Sequence, residues 1–279
     1  MIIDTHTHFY DPTRPEGVPW PSPQETWLYR TVLPAHARAL AAPEGVTGTV
    51  VVEASPWLED NQWILDLAAD DPFIVGLVGH IDPNRTEFGD ELARFADHPL
   101  FCGIRCGANA FEDIEAGQFL DDLELLARHD LELDVLVGKD RLGAVSEVAR
   151  RLPELRIVLN HVASVPIDGQ APDPGWLEAI AQIAAGANVF MKVSALMENS
   201  RQQPAPAEVD YYRPVLDALW SAFGADRLIY GSNWPVSERA GDYRRGIEIV
   251  KAYFSEKGDD ARERFFWRNS QAAYRWAAR

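Results

Sequence analysis

The chain has 279 residues, of which 43 are Asp or Glu and 26 are Lys or Arg, for a formal net charge of −17. That balance excludes a protein built to neutralise phosphate or to lie on anionic lipid, since both need clustered Lys and Arg. A 47% hydrophobic share with 10% aromatic residues excludes disorder, and a chain of this length buries about three quarters of its unfolded surface in one core. A small molecule is the expected partner, with no nucleic acid and no membrane; self-association into a homo-oligomer is left open.

The opening Met1-Ile2-Ile3-Asp4-Thr5-His6 puts an acid and a histidine where a signal peptide needs a basic and then an apolar stretch. No secretory signal and no membrane-spanning segment are expected, and the cytoplasm is the expected compartment. Cys102 and Cys106 are too few for a disulfide framework and suit small buried positions on one strand.

Short β-branched apolar runs recur along the chain, each followed by a helical pattern. Strands are expected over 2–8, 49–54, 74–80, 101–106, 131–137, 156–162, 189–195 and 228–234, with helices such as 61–69, 87–96, 119–128, 141–151, 175–185 and 212–223 between them. Continuous apolar runs, rather than alternation, suit strands buried on both faces of a parallel sheet. Eight such units of about 35 residues each match a single (β/α)₈ TIM barrel occupying residues 1–279. A doubly wound sheet would show a glycine-rich phosphate turn after an early strand, and none is present. Segments 9–30 and 197–213 break the short-loop rhythm. Both follow a strand, which places them over the catalytic face of a barrel.

Polar residues gather at the expected strand ends. His6 and His8 stand two apart at the end of the first strand, so their imidazoles leave one face and converge on an ion or substrate, or pair with each other in the core. The motifs Ile3-Asp4-Thr5-His6-Thr7-His8-Phe9, Val158-Leu159-Asn160-His161, Lys192-Val193-Ser194, Tyr230-Gly231-Ser232-Asn233-Trp234-Pro235 and Asn269-Ser270-Gln271-Ala272-Ala273-Tyr274 follow one another along the whole chain. Together they resemble the amidohydrolase superfamily, in particular the amidohydrolase-2 branch that holds sugar-acid lactonases and 2-pyrone-4,6-dicarboxylate lactonase.

The resemblance implies a barrel hydrolase in which strand-end groups polarise a carbonyl and activate water. His6 and His8 match the pair that binds a divalent metal in many members, zinc before others, and that works without one in some lactonases. His161 matches the sixth-strand histidine. Asn233 departs from the pattern, because family members generally carry an aspartate there as metal ligand, general base or both. An amide takes no proton from water at neutral pH and is a poorer metal ligand.

Glu53, ending the second strand, is the expected replacement as base or metal ligand; a structural partnership with Arg105 or a histidine is the other reading. Arg105 and Lys192 are read as substrate-binding cations or as an internal ion pair with Glu53 or Asp4. His80 and Trp234 are read as pocket-lining residues, against simple packing. The expected function is hydrolysis of a small cyclic ester, a sugar-acid lactone first, with Glu53, His161 and Asn233 as catalytic residues. The rival readings are metal-dependent decarboxylation of an unsaturated acid and a non-catalytic binding barrel.

Overall fold

In the computed structural model, which describes residues 1–279, the expected apolar runs form eight strands. They are β1 (Ile3–Thr7), β2 (Gly48–Val52), β3 (Ile74–Gly79), β4 (Phe101–Gly107), β5 (Glu132–Leu136), β6 (Arg156–Leu159), β7 (Val189–Val193) and β8 (Leu228–Tyr230). All neighbours are parallel and stand in sequence order. The sheet curls into a nearly closed barrel, where His8 N donates to Trp234 O at 2.9 Å and Thr5 Oγ1 to Tyr230 O at 2.6 Å across the β1–β8 seam.

Helices α1 (Pro34–Ala41), α2 (Leu58–Asp70), α3 (Phe88–Ala93), α4 (Phe119–Arg128), α5 (Leu142–Arg151), α6 (Pro174–Ala184), α7 (Val209–Phe223) and α8 (Tyr243–Ser255) pack around it, each after its strand. Each turns an apolar stripe to the outer face of the barrel, as Leu123 and Leu126 do on α4 or Ile247, Val250 and Phe254 on α8. None is long and apolar enough to cross a membrane. The chain ends in α9 (Asp259–Glu263) and α10 (Asn269–Tyr274).

The barrel interior holds its own apolar cluster, including Val50, Val52, Val78, Val158, Phe190 and Ile229. Its floor is sealed by Tyr274 and Trp276, which arrive from the carboxyl terminus. Trp276 lies beyond α10 and plugs the barrel itself, its Nε1 donating to Ser270 Oγ at 3.0 Å. Cys102 and Cys106 are buried and unbonded.

Seven of the eight strands stop short of their expected ends, β6 by three residues and β8 by four. β6 ends at Leu159 because His161, Val162, Ala163 and Ser164 all take positive φ, between 49° and 55°, which turns the chain left-handed. β8 has only three residues, and Asn233 just beyond it has φ +60°. Left-handed backbone is costly for residues with a Cβ and concentrates where function holds it in place. Here it sits at the carboxyl ends of β6 and β8.

Candidate active site

The carboxyl ends of the strands surround a cleft of about 390 Å³, lined by His8, Trp20, Glu53, Arg105, His161, Glu198, Asn199, Asn233 and Arg239 among others. His6 lies beneath it, fully buried, its ring centroid 4.9 Å from that of His8 and 4.4 Å from that of His161. Gly231 makes this depth available. A Cβ there would stand 2.8 Å from His6 Cβ and 3.2 Å from Lys192 Cδ.

Each imidazole is oriented by a partner behind it. His8 Nδ1 donates to the carbonyls of Val52 and Glu53 at 3.0 and 3.2 Å, so its Nε2 keeps a lone pair. His161 Nδ1 pairs with Ser194 Oγ at 2.8 Å. His6 Nδ1 stands 3.2 Å from Lys192 Nζ, which lies 2.7 Å from Asp134 Oδ2. An ammonium only donates, so His6 Nδ1 accepts and its proton sits on Nε2, a buried atom without a partner. Burial, reinforced for His6 and His161 by Lys192, pushes both well below the usual imidazole range. Burial, and secondarily Arg105, pushes His8 down to about 3. All three rings are therefore neutral near pH 7.

Glu53 Oε1 takes Arg105 Nε at 2.7 Å and Nη2 at 2.6 Å, while Arg105 Nη2 also donates to Glu53 O at 3.0 Å. Glu53 is thus tied on side chain and backbone to one guanidinium, the arrangement that the structural reading describes. Lys192 is fully buried and faces Asp134 and His6 instead of the cleft, which corrects its expected place on the substrate. Trp234 likewise turns away. It is 1% exposed, and its Nε1 donates to Glu238 Oε1 at 2.8 Å. His80 lines a neighbouring hollow of about 640 Å³ that shares Arg105 with the cleft, and its Nε2 lies 3.1 Å from Asp82 Oδ1. Asp4 accepts from the backbone of His6 and Ser232 at 3.1 and 2.8 Å and from Tyr243 Oη at 3.0 Å, so it braces the β1–β8 seam.

Sequence reasoning overlooked Glu198. It follows β7 in a segment without periodicity, and only the unusual length of that segment signals it. Its Oε1 accepts from Asn233 Nδ2 at 2.8 Å, and burial raises its carboxyl to about 7. Arg239, exposed at the rim, and Trp20, edge-on to His8 at 5.8 Å, complete the walls.

Parallel strands whose carboxyl ends present histidines, a guanidinium and a carboxyl to a common cleft define a barrel hydrolase. The amidohydrolase family model matches residues 3–276, and the chain belongs to that family. It is 36% identical to an L-fucono-1,5-lactonase of Burkholderia ambifaria, over 98% of this chain and 95% of that protein. Two crystal structures of an amidohydrolase from Burkholderia multivorans, one with bound HEPES and one with bound zinc, superpose with TM-scores of 0.87 and 0.85 at 23% identity, covering 99% of each chain.

The zinc in that relative raises the question of whether these residues fit a dication. No three His, Cys, Asp or Glu side chains here form a group that could hold an ion. His6 turns a protonated nitrogen toward its neighbours, Lys192 sets a positive charge behind it, and Glu53 is occupied by Arg105. Metal ligation needs unprotonated nitrogen and available carboxylate. The expected set of His6, His8 and Glu53 therefore does not fit a metal as it stands.

Proposed function

We propose that the chain hydrolyses the ring ester of a sugar-acid lactone with its own side chains, without a metal step. The observation that carries this reading is the cleft in which His8, His161, Arg105 and Asn233 converge, and the likeness to an L-fucono-1,5-lactonase supports the substrate class. Water attack on a lactone carbonyl creates an oxyanion, and donors already aimed at it are the largest source of rate. Arg105, held rigid by Glu53, and His161, held by Ser194, are the proposed donors. His8 orients substrate hydroxyls through Nε2, and Trp20 offers an aromatic wall to the sugar ring. Lys192 acts at one remove by setting the His6 tautomer. The product is an open-chain hydroxy acid.

The test is ring opening of L-fucono-1,5-lactone and a panel of other aldonolactones by purified protein, followed with a pH indicator before and after exhaustive chelation. Turnover that survives chelation is the expected result. Loss of turnover on chelation, restored by zinc, overturns the metal-free reading. Absence of turnover on every lactone overturns the hydrolase reading, and a ligand-induced thermal shift without turnover supports a binding barrel instead.

A further inference from the structure

Hydrolysis needs a proton acceptor for the attacking water, and the amide of Asn233 cannot serve. Two carboxylates line the cleft, Glu53 and Glu198. Glu53 is bound to Arg105 through side chain and backbone. Of the other buried acids in the barrel, Asp4 is engaged by Ser232 and Tyr243 and Asp134 by Lys192 and Tyr274, while Glu132 starts β5 at the end of the barrel away from the cleft. Of the two cleft carboxylates, only Glu198 has no cation at hydrogen-bond distance: its carboxyl accepts from the Asn233 amide and from its own backbone N–H.

Resting on the lactonase reading above, we infer that Glu198 is the general base of the reaction and that Asn233 is its positioning residue. Glu198 takes one proton from water as the water oxygen bonds to the lactone carbonyl carbon. The ring C–O bond then breaks, the ring oxygen receives that proton from Glu198, and the new carboxylic acid loses its own proton to solvent. The asparagine is then the complement of the glutamate. An aspartate at 233 would set two carboxylates across a 2.8 Å contact, and such a pair shares a proton where a base must be free.

The groups around Glu198 agree with this role. His8 and His161 line the same cleft as neutral imidazoles, Tyr212 approaches from α7, and Arg239 is the cation that favours its ionised form. Burial dominates, and the carboxyl sits near 7, where a base both loses and takes a proton easily.

The experiment is the pH profile of lactone hydrolysis for wild type, Glu198→Gln, Glu198→Asp and Asn233→Ala, with melting curves to confirm folding. In wild type kcat/KM rises with pH through about 7 as Glu198 ionises. Glu198→Gln lowers kcat by about 10²- to 10⁴-fold, changes KM little, and loses the acidic limb. Glu198→Asp keeps intermediate activity with a limb, which also serves if the glutamine variant fails to fold. Asn233→Ala moves the limb upward, because the hydrogen bond that favours the anion is gone. Wild-type turnover together with a glutamine or aspartate variant that keeps kcat and an unchanged limb overturns the assignment alone. No wild-type turnover overturns the lactonase reading and the assignment with it.

Discussion

Lys192 and Asp134 meet at 2.7 Å with no solvent exposure, and Tyr274 Oη gives the carboxylate a second donor at 2.8 Å. A buried pair of this kind is far more costly to halve than to remove. Lys192→Met should lose about 3–5 kcal/mol, read from urea unfolding, whereas Lys192→Met with Asp134→Leu should recover most of it. Glu198 has the opposite character. Its carboxyl, ordinarily at 4.5, sits near 7 in the fold, so the folded chain holds this proton more tightly than the unfolded chain. Its burden on stability is absent below pH 4.5 and grows as pH rises through about 7. Glu198→Gln should therefore match wild type near pH 4 and exceed it at pH 8 by at most about 3 kcal/mol, measured by denaturant midpoints.

At the scale of elements, the long connection from β1 to α1 carries Trp20 to the cleft and is pinned to α2 by Arg14. The guanidinium donates to Asp60 at 2.7 Å and stacks over Trp63 at 4.5 Å. Arg14→Ala should raise KM several-fold with a smaller effect on kcat, and should expose this connection to proteolysis, since a loosened wall costs binding before chemistry. The strands themselves were legible in the sequence because parallel strands buried on both faces leave unbroken apolar runs. Their ends were less so. His161 and Val162 fall inside the expected sixth strand, yet the backbone reverses hand from His161 through Ser164, and residue type does not record that sign of φ. Trp234, expected to end β8, lies beyond it, and its indole turns from the cleft to donate to Glu238. Glu198 was invisible because a residue in an aperiodic segment gains meaning only from what the fold sets opposite it. His6, His8 and His161 were legible because each stands on or within two residues of the carboxyl end of its strand.

For the molecule as a whole, the charge of −17 lies mainly on helices and connections, where surface pairs such as Arg213 with Glu256 or Arg264 with Asp260 form, while the cleft gathers Arg105, Arg239 and neutral imidazoles. An acidic protein can thus balance the two carboxyl groups of its catalytic face, Glu53 and Glu198, with two guanidinium groups. The barrel floor is independent of that face. Trp276→Ala should cost about 3–5 kcal/mol by leaving a cavity among Val75, Cys102 and Tyr274, with KM unchanged. The sealed floor also governs traffic. Lactone and hydroxy acid must use one doorway, and the product, newly anionic, has to depart past the same guanidinium groups that greeted its precursor. Accumulating product therefore queues where substrate enters, and it competes for the cleft instead of draining through the barrel.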